Sequence, residues 1–202
     1  LRNPLAAIRN VSHVLGSDRL DGPAIRRSSE LLQRQATQLA RLVDDLLDVA
    51  RITRGAIELQ RTLKRLDEVI DAALETVQPL CAVKRQVINV QRTSVPLWIA
   101  GDGARLTQVF SNLLGNAAKY SPDRSSIEMR IGQELNYAVI RIRDEGVGID
   151  AQVLPHLFDL FFQADQSLDR TQGGLGVGLT IVKSLVEMHA GQVEAHSEGT
   201  GK

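Results

Sequence analysis

Three short segments join amides or glycines to a charged or aromatic residue, a combination that suits a nucleotide. Along the chain they are Asn112–Tyr120, Asp144–Gly148 and Gly174–Gly178. A glycine pair by itself is common and says little. The ordered set is far more specific, because an amide-bearing helix, a carboxylate–glycine turn and a glycine-rich helix start follow one another.

In the first segment Asn112, Asn116 and Lys119 share one face of a helix, since they stand at positions i, i+4 and i+7. Amide carbonyls beside an ammonium group can hold a hard cation and the phosphates that it bridges. Magnesium keeps several of its waters, so a single amide ligand is enough. Tyr120 offers a flat apolar ring with a polar tip for a base. Asparagine is disfavoured inside helices, so two of them favour binding over a merely solvated face.

The second segment predicts a strand that runs into a turn. Asp144 could accept a hydrogen bond from an exocyclic amine, which adenine has, and Gly146 and Gly148 would let the backbone approach the ring closely. Taken alone, this pattern is more often only a turn. Both interpretations stay open at this point.

The third segment places Gly174, Gly176 and Gly178 at the start of a predicted helix, where bare N–H groups and the positive helix end favour an anion. A phosphate-binding loop of the Gly-x-x-x-x-Gly-Lys type would require a Lys after the last glycine, and none follows here. Leu179 stands where a dinucleotide-binding fingerprint has its third glycine. The stretch before these glycines is first apolar and then polar, a composition typical of a mobile lid over phosphates.

Composition excludes several other classes of protein. The 24 basic and 24 acidic residues give no net charge, which argues against a general nucleic-acid binder. Cys81 is the only cysteine, so a disulfide within the chain and a four-cysteine zinc site are excluded, in keeping with a reducing compartment. No apolar run reaches the roughly 20 residues that span a membrane, and no signal peptide is evident. Because the chain starts without Met, we interpret it as a piece of a longer protein.

Residues 1–54 predict a helical hairpin with a break around Gly16–Pro23. Its second helix carries an apolar seam with a seven-residue spacing, formed by Ile25, Leu32, Leu39 and Leu46. Two helices cannot bury this seam alone, so pairing with a second copy as a four-helix bundle is the simplest solution. The alternative is a hairpin folded back on its own downstream domain.

Residues 55–202 predict a two-layer α/β domain, which makes the whole chain α+β. Strands are expected at residues 57–63, 87–90, 97–100, 127–131, 138–142 and 192–196, and helices at residues 66–77, 103–120 and 176–190, with Asp102 as the N-cap of the second.

These residues resemble the transmitter region of sensor histidine kinases over almost the whole chain. Leu1–Leu5 is similar to the tail of that family's H box, and Arg105–Tyr120 is similar to its N box. Asp144–Gly148 is similar to the G1 box, Leu157–Phe162 to the F box and Gly174–Gly178 to the G2 box. The resemblance implies a homodimeric, cytoplasmic kinase, although the parent protein could be membrane-anchored. Such a kinase uses ATP and Mg²⁺ to phosphorylate a His on the hairpin and passes the phosphoryl group to an Asp of a response-regulator receiver domain. It implies no contact of this chain with nucleic acid or membrane.

By the same match Asn116 carries the magnesium, Asn112 and Lys119 act near the phosphates, Tyr120 lies beside adenine and Asp144 bonds the adenine amine. The resemblance also implies nucleotide contacts at Gly146, Gly148, Ile149, Phe158, Gly174, Gly176, Gly178 and Leu179. Asn3 would occupy the position that orients water for phosphatase activity.

Some positions depart from the family pattern. The phosphoacceptor His is expected just before Leu1, and His13, about three turns further along, is interpreted as a surface residue. The chain is also expected to stop before the family's last strand, and Leu160 and Gln163 replace a frequent Pro and an occasional Arg. The sequence alone leaves two alternatives: a nucleotide-holding dimeric scaffold without transfer, or another ATPase of the same fold. The helical hairpin favours the kinase.

Overall fold

A computed structural model of the chain describes residue 11, residues 22–163 and residues 175–201. Helix α1 runs from Gly22 to Thr53. Val11 is helical and buried. The rest of the first predicted helix, with Asn3 and His13, lies outside the described residues.

The apolar seam of α1 is only partly covered. Leu32, Leu39 and Leu46 are half-buried, and Ile25 is exposed, as are Val43 and Leu47. At its C-terminal end α1 turns to the downstream domain, where Val49 and Ile52 pack against the main core. The helix therefore packs on the downstream domain at its C-terminal end, and Leu42 is buried as well, while Ile25, Val43 and Leu47 leave apolar surface exposed.

The strands form two small sheets. In one, β1 (Thr62–Arg65) pairs antiparallel with β3 (Trp98–Gly101). In the other, β4 (Ser126–Glu134) is central, parallel to β2 (Val87–Gln91) and antiparallel to β5 (Tyr137–Arg143). The helices of this domain are α2 (Leu66–Lys84), α3 (Gly103–Tyr120) and α4 (Gly178–Met188), and a short 3-10 turn covers Leu154–His156.

The three helices and the larger sheet share one hydrophobic core, as a two-layer domain requires. Helix α2 contributes residues at a spacing of three or four, α3 and α4 contribute one face each, and β4 contributes alternate residues. The fully buried members include Ile70, Ala73, Leu114, Ala118, Ile127, Met129, Ile181, Val182 and Leu185.

Helix α3 has the boundaries that the sequence predicts. Asp102 caps its start, with Oδ1 accepting from the Arg105 N–H at 3.2 Å. The helix ends at Tyr120, and Ser121 is already extended, as expected for a residue before Pro122. The asparagines of the first segment therefore lie on a helix.

Helix α2 ends at Lys84 because Arg85 adopts a left-handed conformation with φ of 54°. Its N–H and that of Gln86 then close the last turn on Ala82 and Cys81. The chain turns sharply into β2, and this turn brings Lys84 and Gln86 against the end of α3.

Two strand predictions need correction. The first strand is confined to Thr62–Arg65, because the preceding residues bond elsewhere: the Gln60 N–H donates to the Asp102 carboxylate, and the Arg61 guanidinium donates to the Met188 carbonyl. Residues 192–196 form no strand ladder with the described residues, although Val193 packs on the core. Burial alternates along these residues in the structure, but such alternation does not require a hydrogen-bonded neighbour. Helix α4 is also shorter than predicted, at Gly178–Met188.

Among the helices that the structure describes, none combines the length and apolarity that crossing a membrane would need.

Candidate functional site

The C-terminal half of α3 brings the predicted polar face together. Asn112, Asn116 and Lys119 are all half-buried. The Asn112 amide donates to the Gly178 carbonyl at 3.5 Å, so α3 touches the first turn of α4. The Asn116 amide has no hydrogen-bond partner among the described residues. A half-buried amide oxygen without a protein partner fits a ligand such as a cation.

Lys119 and Tyr120 form a pair at the end of the same helix. The Lys119 ammonium donates to the Tyr120 hydroxyl at 3.1 Å and lies 4.7 Å from the centre of its ring. The Tyr120 side chain is 52% exposed. An exposed aromatic ring beside a cation offers a stacking surface for a base and a positive charge for phosphate.

The carboxylate–glycine turn lies against this helix end. Asp144 Oδ1 accepts from the Gly146 N–H at 2.8 Å, which closes the turn. A Cβ on Gly146 would stand 2.5 Å from Asp144 Oδ1 and 3.2 Å from the Tyr120 carbonyl oxygen. Only glycine permits this approach. The second Asp144 oxygen accepts no hydrogen bond within the described part of the chain and can accept one from an amine.

Residues after α4 hold the far side of the same turn. Gly148 adopts φ of 68°, a left-handed conformation. The next N–H, of Ile149, donates to Ser197 Oγ at 2.9 Å. Gly201 N–H donates to the Val147 carbonyl at 2.6 Å. The role of Ser197 could not be predicted from local sequence patterns, because its partner lies 48 residues earlier.

The glycine-rich segment packs on the predicted F box. Gly176 has φ of 71°, and a Cβ there would come within 2.5 Å of the Phe162 carbonyl oxygen. The Phe161 N–H also donates to the Gly176 carbonyl at 3.1 Å. Phe158 is half-buried just after the 3-10 turn, and the atoms nearest to Gly176 belong to Phe161, Phe162 and Gln163. Gly174 lies outside the described residues.

The start of α4 suits an anion. Its N-cap residue, Val177, makes no side-chain cap, and its first turn holds no acidic residue. Leu179 is half-buried in that turn. The first helical N–H groups are therefore available to an anionic ligand, with the positive end of the helix dipole behind them.

A metal ion at this site would have to be held by oxygen ligands. The described residues contain no group of three or more His, Cys, Asp or Glu side chains that could hold a metal ion. The Asn116 amide oxygen together with phosphate oxygens and water is a donor set that suits Mg²⁺.

Comparison with known proteins finds a match to the predicted hairpin and, after it, a match to the predicted nucleotide-binding domain. Residues 1–55 match the His Kinase A (phospho-acceptor) domain, and residues 101–202 match the histidine kinase-, DNA gyrase B-, and HSP90-like ATPases. The chain is 33% identical over 205 residues to the sensor protein KdpD of Clostridium acetobutylicum, covering 100% of this chain and 22% of that relative. It is 35% identical over 203 residues to the autoinducer 2 sensor kinase/phosphatase LuxQ of Vibrio cholerae, covering 98% of this chain and 24% of that relative.

A solved structure has the same fold. The histidine kinase AdeS of Acinetobacter baumannii superimposes with a TM-score of 0.74 at 22% sequence identity, over 98% of this chain and 91% of that one. The chain spans less than half the length of the curated relatives that it matches.

The chain therefore belongs to the family of histidine kinase-, DNA gyrase B-, and HSP90-like ATPases. Its helical phospho-acceptor domain, followed by this ATPase domain, defines the transmitter region of a two-component sensor kinase.

Proposed function

We propose that the chain is the catalytic part of an ATP-dependent protein-histidine kinase, which phosphorylates a His on its helical hairpin and then an Asp of a response-regulator receiver domain. The observation that carries the proposal is the convergence of the three predicted segments. Asn112 on α3 contacts Gly178 at the start of α4, and Tyr120 at the end of α3 lies against Gly146.

Each group has a distinct task in this proposal. Asp144 accepts a hydrogen bond from the adenine amine, and the Tyr120 ring lies against the base. Lys119, Asn112 and the first N–H groups of α4 bind the phosphates. Asn116 would hold Mg²⁺, which would supply positive charge to neutralise the phosphates. Phosphoryl transfer needs mainly positioning and charge neutralisation, which these groups supply.

The division of labour follows the fold. We take residues 1–54 as the dimerisation and phosphotransfer hairpin, with the acceptor His expected just before Leu1, and residues 55–202 as the nucleotide-binding domain. The strands and helix between residues 62 and 101 support this boundary, because Leu66, Ile70 and Ala73 belong to the same core as α3 and α4. The exposed apolar surface of α1 supports a homodimer. We place the chain in the cytoplasm, and we keep Asn3 as a candidate for orienting water in dephosphorylation.

Magnesium-dependent nucleotide binding tests the proposal. ATP is titrated by calorimetry into the parent chain and into the Asn116→Ala variant, each with and without Mg²⁺. We expect the variant to lose most of the gain in affinity that Mg²⁺ provides, about tenfold or more, because one metal ligand is gone. The matched control is Asn136→Ala, which removes an exposed amide in the turn between β4 and β5.

Three results are informative. Absence of ATP binding by the parent chain would refute the function. Equal Mg²⁺ dependence in the parent and Asn116→Ala would refute the metal ligand alone. A drop in the ratio of ATP to GTP affinity in Asp144→Asn is expected if Asp144 reads the base, whereas an unchanged ratio limits Asp144 to shaping the turn.

A further inference from the structure

The end of α3 that carries Lys119 and Tyr120 is held by a side chain from another helix. The Lys84 ammonium donates three hydrogen bonds, to the carbonyls of Ala118, Lys119 and Ser121, at 3.0, 2.7 and 2.9 Å. An ammonium has three N–H donors, so its hydrogen-bonding capacity is filled. The acceptors are carbonyls that a helix end leaves unpaired, and they carry its negative dipole charge.

Gln86 reinforces the same contact from the first residues after α2. Its Nε2 lies 3.0 Å from the Ala118 carbonyl, 3.2 Å from that of Ser121 and 3.0 Å from that of Pro122. The side chain is buried, and its Oε1 has no hydrogen-bond partner among the residues that the structure describes. Because only a donor can face a row of carbonyls, these bonds fix which way the amide points. A buried oxygen without a hydrogen bond lowers the stability of the fold, and the hydrogen bonds to the end of α3 must offset this loss.

These bonds reach the nucleotide site through the backbone. Lys84 holds the Lys119 carbonyl directly, and Tyr120 stands between two residues whose carbonyls are held. The Tyr120 carbonyl oxygen in turn lies 3.2 Å from the place where Gly146 would carry a Cβ. The position of this helix end therefore sets both the Lys119–Tyr120 pair and the space left for the Asp144–Gly146 turn.

We propose that Lys84 and Gln86 are positioning residues of the nucleotide site, a role that rests on the proposed function. They act through the last turn of α3, and neither belongs to the segments that the nucleotide contacts. Losing the Lys84 bonds frees the Lys119–Tyr120 end, while Asn112, two turns earlier, keeps its own contact with Gly178.

The first test compares Lys84→Met with Lys84→Arg by titration of Mg-ATP. Lys84→Met keeps the aliphatic stem and removes the donors, so we expect about tenfold weaker binding. Lys84→Arg keeps the charge and donors and should recover at least about half of the loss on a logarithmic scale. Lys183→Met is the matched control, since Lys183 is exposed on α4, and it should bind ATP like the parent.

A double-mutant cycle separates positioning from a general loss of stability. If Lys84 acts through Tyr120, the loss of ATP affinity in the double variant Lys84→Met/Tyr120→Leu should be smaller than the product of the two single losses. The difference should be about threefold or more. Lys84→Met with Asn112→Ala should give the product of the single effects. A uniformly loosened domain would show no such difference between the two cycles.

The outcomes decide the role of Lys84. Gln86→Leu, which removes the second donor to the Ala118 carbonyl, is expected to weaken Mg-ATP binding in the same direction, and parent-like binding by this variant would remove Gln86 from the proposal. Parent-like ATP binding by Lys84→Met, or multiplicative effects in both cycles, overturns the positioning role and leaves the proposed function intact. No ATP binding by the parent chain overturns both. If thermal unfolding without nucleotide shows that Lys84→Met is not folded, Lys84→Gln, which keeps one amide donor group, replaces it. Both double-mutant cycles are then measured with Lys84→Gln and judged by the same criteria.

Discussion

The two ends of α3 are held in opposite ways and face different parts of the molecule. At the N-terminal end, carboxylates accept hydrogen bonds from the helix. Asp102 accepts from the Arg105 backbone N–H, and Asp48 of α1 accepts from the Arg105 guanidinium. At the C-terminal end, donors meet carbonyls: Lys84 and Gln86 hold the last turn. The polarity of the helix accounts for the Asp102 cap and for the donors at the C-terminal carbonyls, whereas the Arg105–Asp48 pair joins two side chains.

The comparison separates two functions along one helix. The N-terminal end is the contact with α1, the described helix of the hairpin domain. There Arg105 Nη1 bonds both Asp48 oxygens, at 3.0 and 2.8 Å, and Gln108 Nε2 bonds Asp48 at 2.8 Å. The C-terminal end carries the candidate nucleotide residues and makes no described contact with α1. Damage at one end should therefore spare the function of the other.

Removing the Asp48 carboxylate should have the largest effect on stability. Its side chain is 9% exposed and that of Arg105 is 24% exposed, so Asp48→Ala leaves a largely buried guanidinium without its partner. We expect a loss of about 2–3 kcal/mol in the contact between α1 and the ATPase domain, somewhat less than for a fully buried pair. Urea unfolding and hydrogen exchange over residues 43–53 measure it.

The control for this prediction is Asp44→Ala, which removes an exposed carboxylate one turn earlier on the same helix. Its effect should stay within about 0.5 kcal/mol. ATP affinity should be unchanged in Asp48→Ala. If Asp48→Ala is no more destabilising than Asp44→Ala, the two helices are not held together by this ion pair.

At the other end, Gly146→Ala should weaken ATP binding by about tenfold, or ~1.4 kcal/mol. The added methyl would meet Asp144 Oδ1 and the Tyr120 carbonyl, so either the carboxylate or the helix end must move. The comparison is Gly115→Ala on α3, where a Cβ meets no atom within 4 Å. That change should stabilise the helix by up to about 1 kcal/mol and leave ATP affinity unchanged. Equal ATP affinities of Gly146→Ala and Gly115→Ala would show that the turn accommodates the added methyl group.

Loss of the Asp102 cap should have the smallest effect. Asp102→Ala removes the acceptor for the N–H groups of Arg105 and Gln60, which predicts a destabilisation of about 1 kcal/mol in chemical unfolding. Asp123→Ala, in the exposed loop after α3, is the control and should be neutral. A larger effect on ATP affinity than on stability would contradict the separation of the two ends.

Local patterns were sufficient to predict most of the fold and to select the three segments of the candidate site. The helical period of α2 and α3, the Asp102 cap and the paired strands β4 and β5 follow from residues close in sequence. The pattern failed at residues 192–196, where burial alternates without a ladder.

Long-range side-chain contacts could not be predicted. Asp48 and Arg105 are 57 residues apart, and Lys84 and Ala118 are 34 apart. An isolated Lys or Asp on a helix is typical of a solvated surface. Only the packing of α1, α2 and α3 shows that these particular charges meet partners.

Hydrogen exchange with and without Mg-ATP tests the central claim most directly, namely that the nucleotide binds at the C-terminal end of α3 and the start of α4. We expect protection at residues 144–149 and 175–180, where N–H groups without helical partners would gain ligand contacts. Exchange near Asp48 should not change. Protection around Asp48 and Arg105, with none at the two glycine-containing segments, would contradict the account.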